Sequence, residues 1–178
     1  SKNTAIGACS LFANTTGANN TASGYSSLCA NTCGDNNTAV GAYSLRANTT
    51  ASGNTAVGRE ALRSATTGGQ NTGVGLQAAY SMTTGYQNAA LGDTALYANT
   101  TGQRNTASGY RSLFNNTTGS GNTASGACAL CGNTTAGNNA AFGRGAMRNN
   151  TTGNANTASG YKSLYANTTG KCNVAIGH

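Results

Sequence analysis

The chain has 178 residues and a net charge of +7, with 26 Gly, no Pro and no Trp, and only 37% hydrophobic and 6% aromatic residues. A two-layer globule of this makeup would bury too little apolar surface to offset chain entropy. Three acidic residues and one His leave almost nothing for acid–base or oxygen-ligand chemistry, so the expectation is a protein that is not an enzyme, with no cofactor and no metal.

An exact internal period sets the architecture. Gly recurs at Gly7, Gly24, Gly41, Gly58, Gly75, Gly92, Gly109, Gly126, Gly143, Gly160 and Gly177, every 17 residues and without an insertion. Four residues before each lies an Asn: Asn3, Asn20, Asn37, Asn54, Asn71, Asn88, Asn105, Asn122, Asn139, Asn156 and Asn173. The unit reads NTA[VIS]GxxxLxxNTTGxx, and ten units plus a partial one fill residues 1–178 as a single array. A helix pair needs a longer repeat, and each internal Gly would cost a helix about 1 kcal/mol. The expected fold is therefore all-β: a parallel β-solenoid with one 17-residue repeat per coil. Successive coils rise by about 4.8 Å, so ten of them span roughly 50 Å.

Within a coil, the first segment predicts a strand whose Asn and Ala face inward, as at Asn105 and Ala107, with the following Gly turning the corner. Buried Asn is tolerable where amides of successive coils bond one another in a structural ladder. Leu11, Leu28, Leu45, Leu62, Leu96, Leu113, Leu130 and Leu164 supply the bulk of the interior, with Met147 a near-isostere and Ala79 a hole. A second strand is expected at the NTT segment, where Thr15 to Thr168 form an unbroken column. The residue before each corner Gly is mostly apolar (Ile6, Val40, Val57, Val74, Leu91, Phe142, Ile176), and by parity it points outward. A lone solenoid would expose that stripe, which a threefold assembly of identical chains would bury; the opposite parity would make it ordinary core.

Asn3-Thr4-Ala5-Ile6-Gly7 and Asn173-Val174-Ala175-Ile176-Gly177, with the SL or AL that follows such corners, resemble the head repeats of trimeric autotransporter adhesins. The full NTAxGxxxLxxNTTGxx unit resembles the repeat arrays of bacteriophage tail fibres and bacterial surface fibres, across the whole chain. The resemblance implies a left-handed β-roll, a homotrimer, an extracellular location on a cell surface or virion, and a task of attachment or spacing. The unit is longer than the adhesin head repeat, so handedness and trimer rest on the resemblance alone. The chain opens at Ser1 and its ends fall within a repeat, which points to a segment of a longer fibre. No apolar run of about 18 residues offers a membrane span.

Variation concentrates between the corner Gly and the NTT segment. Tyr25, Tyr43, Arg46, Arg59, Arg63, Tyr80, Tyr97, Tyr110, Arg111, Arg144, Arg148, Tyr161, Lys162 and Tyr165 fall there and form a candidate contact edge, suited to cell-surface glycans, unless they merely cover the coil edges and keep a fibre in solution. Ten cations spread along about 50 Å make a sparse track for nucleic acid. Three of four units with Ser before Gly carry Tyr two residues later (Ser23/Tyr25, Ser108/Tyr110, Ser159/Tyr161), as though the ring covers what the Ser leaves open.

Asn14, Asn48, Asn99, Asn116, Asn133, Asn150 and Asn167 begin N-x-Thr sequons, as do Asn19, Asn36, Asn115 and Asn149. They are either glycan acceptors or simply the turn and ladder residues of the repeat. Cys9, Cys29, Cys33, Cys128, Cys131 and Cys172 occupy several columns, so no repeating disulfide ladder forms; Cys29/Cys33 and Cys128/Cys131 are local disulfide candidates. Cys128-x-x-Cys131 lacks the second ligand pair of a zinc site, and Asp35, Glu60 and Asp93 are too scattered for a carboxylate dyad. An ice-binding solenoid that orders water on Thr and Asn columns is the rival function, although adjacent Thr residues face opposite ways, and a glycosylated extracellular fibril is a further alternative.

Overall fold

The computed structural model describes residues 2–178. Eleven three-residue strands line up in one parallel sheet in chain order: β1 (Thr4–Ile6), β2 (Thr21–Ser23), β3 (Thr38–Val40), β4 (Thr55–Val57), β5 (Thr72–Val74), β6 (Ala89–Leu91), β7 (Thr106–Ser108), β8 (Thr123–Ser125), β9 (Ala140–Phe142), β10 (Thr157–Ser159) and β11 (Val174–Ile176). Each residue pairs with the one 17 positions on, as Ala39 does with Ala56. The fold is an all-β parallel solenoid of about ten coils, and the described residues contain no helix, hence none long and apolar enough to cross a membrane.

Each coil can be numbered from its first Asn as position 1, so that Asn3 and Asn105 are equivalent. Positions 1 and 3 of the strand face inward. Asn105 shows why a polar residue can line the interior. Its backbone N–H donates to Asn88 Oδ1 at 3.0 Å, its Nδ2 donates to the Gly119 carbonyl across the coil at 2.8 Å, and its Oδ1 accepts the Asn122 N–H at 3.0 Å. One amide therefore ties its coil to the coils before and after it and to its own opposite wall. The same bonds recur from Asn3 to Asn173, and every ladder Asn between those two is buried.

A second Asn ladder runs at position 12. Asn116 Nδ2 donates to Asn99 Oδ1 at 2.8 Å and to the Gly119 carbonyl at 3.0 Å, so that carbonyl serves both ladders. This ladder breaks where Ala65 and Met82 replace Asn, and the break leaves Asn48 Oδ1 buried without a donor. The expected hole at Ala79 is closed in the same coil, because Met82 swings a long side chain into the interior and both residues are fully buried.

The corner Gly has φ between 109° and 139°, and at Gly41 a Cβ would lie 2.6 Å from the Gly58 carbonyl oxygen of the next coil. After the corner the chain alternates hands. Position 7 and the Leu of position 9 are both left-handed, with φ of 47–55° at every residue of the Leu column. That conformation costs an L-residue about 1–2 kcal/mol. Two intercoil bonds and burial of the Leu offset it: Ser26 N–H reaches back to the Ala8 carbonyl at 2.9 Å, while Leu28 N–H reaches forward to the Ser44 carbonyl at 3.1 Å. Between them, position 8 is always Ser or Ala, and the Ser hydroxyl donates to the corner Gly carbonyl, as Ser44 does to Gly41 at 2.8 Å.

The NTT segment is a bend, not the second strand the sequence leads one to expect. Its N–H groups do not alternate between neighbours, as a strand requires; they converge. Thr100, Thr101 and Gly102 all donate to the Thr117 carbonyl of the next coil, at 2.9, 3.4 and 3.3 Å, and Thr100 Oγ1 adds a fourth bond at 3.2 Å. The unbroken Thr column is the signature of that hydroxyl.

Two substitutions test this account. Asn105→Ala orphans the buried Asn122 N–H and is expected to destabilise the solenoid by about 2–3 kcal/mol, read as an earlier guanidinium midpoint, whereas exposed Thr118→Ala shifts it little. The combined change Ala65→Asn, Ala79→Leu, Met82→Asn restores both interior columns and should raise the stability by about 1 kcal/mol or more, read as a later midpoint.

Candidate functional site

The candidate contact edge lies on positions 6, 7 and 10, which follow the corner Gly and flank the inward Leu. The alternation of backbone hand sends position 9 into the core and leaves its neighbours at the surface, so side chains of these columns meet their counterparts in adjacent coils.

They assemble into two groups. In the first, Tyr25 meets Tyr43 edge-on at 5.3 Å, Arg46 and Arg63 lie 5.5 and 5.9 Å from the Tyr43 ring, and Arg63 bonds the Tyr80 hydroxyl. Tyr80, Tyr97 and Phe114 then stack in near-parallel steps of 5.2 Å, closed by the Arg111 guanidinium 4.2 Å from the Phe114 ring. Arg59 sits at the margin, paired with Glu60 at 3.6 Å, and Tyr110 is exposed. In the second group Arg144 lies 5.9 Å from the Tyr161 ring, Arg148 lies 6.0 Å from the Tyr165 ring, and Lys162 Nζ stands 5.1 and 5.5 Å from the two rings. Every residue of the expected edge belongs to one of these groups or their margin.

The thiols Cys128 and Cys131 separate the groups. Cys131 is nearly buried, and that burial pushes its thiol above the ordinary range; the adjacent Cys128 adds to the rise, while Arg111 and Arg148 oppose it. All six cysteines are free thiols, and Cys9, Cys33 and Cys172 are exposed. No group of three or more His, Cys, Asp or Glu among the described residues is placed to hold a metal.

Seven of the sequons are corrected by the ladder at position 12. Asn48, Asn99, Asn116, Asn133 and Asn150 are fully buried, and Asn14 and Asn167 have their amides in the same interior bonds. A glycan on any of the five buried amides would have to occupy the core, and one on part-buried Asn14 or Asn167 would cost its ladder bonds. Asn19, Asn36, Asn115 and Asn149 are exposed.

The Ser–Tyr pairing has a structural counterpart. Ser23, Ser108 and Ser159 are half-buried, whereas Ser125, followed two residues later by Ala127, is exposed. Sequence reasoning missed a depression of about 180 Å³ in the second group, lined by Ala127, Cys128, Arg144, Gly145, Arg148, Tyr161, Lys162 and Tyr165. Its signal was a lone Gly, Gly145, in a column that elsewhere carries side chains such as Tyr43, Gln77 and Arg111. A second, more open depression of about 300 Å³ lies by Arg46 and Arg63. Another cation–ring contact, Arg104 with Tyr86 at 5.8 Å, lies at positions 17 and 16, away from the edge.

Thiol chemistry offers a direct check. Alkylation by iodoacetamide at pH 8, followed by peptide mass spectrometry, should modify Cys9, Cys33 and Cys172 quickly and Cys131 last, by tenfold or more, because Cys131 is buried and that burial disfavours its reactive thiolate.

Comparison with protein-family models, with curated proteins and with solved structures gives no match to this chain.

Proposed function

We propose that the chain is a non-enzymatic structural and adhesive segment of an extracellular fibre, a stiff rod that assembles with identical chains and presents the aromatic and basic edge to a surface. The observation that carries the reading is the outer face of the sheet. Ile6, Val40, Val57, Val74, Leu91, Phe142 and Ile176 stand in one register on that face, each 37–83% exposed. The column is apolar without a break over four coils, Val40, Val57, Val74 and Leu91, and Ser23, Ser108, Ser125 and Ser159 interrupt it elsewhere. An exposed apolar run of this kind is expensive to leave in water, and identical runs on sister chains are the partners that match its spacing. A left-handed coil and a threefold axis follow from the resemblance to adhesin heads and tail fibres, with the contact edge left outside the assembly to meet cell-surface glycans. Continuous intercoil bonding along the array supports the mechanical part of the role.

The same face supports a second reading. Thr4, Thr21, Thr38, Thr55, Thr72, Thr106, Thr123 and Thr157 also point outward at strand spacing, beside the apolar column, an arrangement suited to ordering water at an ice surface.

Sedimentation and small-angle scattering separate the two. The fibre reading expects an elongated trimer, converted to a rod-shaped monomer by Val40→Glu, Val57→Glu, Val74→Glu; a wild-type monomer overturns it. Thermal hysteresis at micromolar concentration, lost when the outward Thr residues become Lys, would establish the ice-binding reading in its place.

A further inference from the structure

We infer that the depression around Gly145 is a binding site for an acidic sugar, a single pyranose ring bearing a sulfate or carboxylate group. The inference deepens the proposal that this edge is a contact surface, on which it rests, and is independent of how the chains assemble.

The charge balance is the first ground. Arg144, Arg148 and Lys162 converge on one depression, and no side-chain carboxylate stands near them. The nearest acid by coil, Asp93, is three coils away, or about 14 Å at the strand spacing and beyond a Debye length of about 8 Å. Arg59, by contrast, has its own Glu60. Three cations held together without a counter-charge repel one another, and an anion entering between them relieves that repulsion while accepting charge-assisted bonds from two guanidinium forks.

Shape is the second. Position 7 is empty only at Gly145, whose φ of +68° matches the left-handed setting of the column. A Cβ built there would point at Lys162 Cγ, 3.5 Å away, and at the Tyr165 ring, 3.8 Å away. Lys162 and Tyr165 therefore lie against Gly145, which is buried beneath them and contributes its backbone to the lining of the depression; a longer side chain at this position would push in among them.

The rings are the third. Tyr161 and Tyr165 belong to one coil and both face Lys162, so aromatic surface and positive charge share one depression. Aromatic surface packs on the C–H face of a sugar, while the cations take its anionic substituent. An inorganic anion would use only the cations.

The test is calorimetric titration of the full chain with a heparin tetrasaccharide, a hyaluronan tetrasaccharide, neutral maltotetraose and inorganic sulfate. At least one acidic tetrasaccharide should bind saturably with one site per chain and at least tenfold more tightly than maltotetraose or sulfate; the tighter of the two identifies the anion as sulfate or carboxylate. Gly145→Gln drives a side chain in among Lys162 and Tyr165 at unchanged net charge, in a column that already holds Gln77 at φ 53°, and should weaken binding at least tenfold. Arg144→Gln with Lys162→Gln should do the same. A variant with Lys2, Arg104 and Lys171, all outside the contact edge, changed to Gln loses one more charge yet should stay within threefold of wild type. Equal loss in that variant, full affinity in Gly145→Gln, equal binding of maltotetraose or sulfate, or no binding of either acidic sugar overturns the proposal. An elongated trimer that ignores these sugars would sink the site and spare the fibre; a monomer that binds them would do the reverse.

Discussion

A primary amide held at the same point of every coil is the interaction on which this structure depends. Each first-Asn side chain accepts from the backbone of the following coil and donates across its own interior, so the two walls of the solenoid and the succession of coils are joined by one group. Such an arrangement demands that every coil have the same length, since a shift of one residue would withdraw the amide from both partners and leave buried polar atoms orphaned. The fixed period is thus a hydrogen-bonding requirement before it is a packing one. It also explains how a chain so poor in large apolar residues folds: its core is an amide network, with Leu and Ala filling the space between.

That division of labour frees the exterior. Interior columns tolerate almost nothing but Asn, Ala, Leu and their near equivalents, whereas positions 6, 7 and 10 vary from Gly to Tyr to Arg at little cost to the fold. The rods of cation and ring along this edge, the thiol pair that divides them and the basic depression beyond are variations of side chain on one repeated backbone. A surface of this sort is composed coil by coil, without any change in the scaffold.

Much of this was legible from periodicity alone. The exact recurrence of Asn and Gly places Asn105 and Ala107 inside, the apolar column outside and the edge residues together, because a solenoid of equal coils converts sequence spacing directly into spatial neighbourhood. What could not be read was backbone handedness. Leu is a poor residue for a left-handed setting, so nothing in its chemistry announces that the whole Leu column adopts one; the intercoil bonds at positions 7 and 9 impose it. The NTT segment misled for a related reason: Thr has strand propensity, but here its hydroxyl and three successive N–H groups converge on one carbonyl, a non-local geometry that propensity does not encode. Likewise, the sequon pattern at Asn116 or Asn133 says nothing of whether the amide is turned inward.

The exact 17-residue register also has a genetic face. Because the first-Asn ladder joins adjoining coils by the same bonds all along the array, an unequal crossover that duplicates or deletes one whole unit of the coding sequence keeps both the reading frame and that ladder intact. Length can then change in whole coils, while a surface feature such as the depression at Gly145, whose lining comes from three successive coils, survives only where those coils stay adjacent.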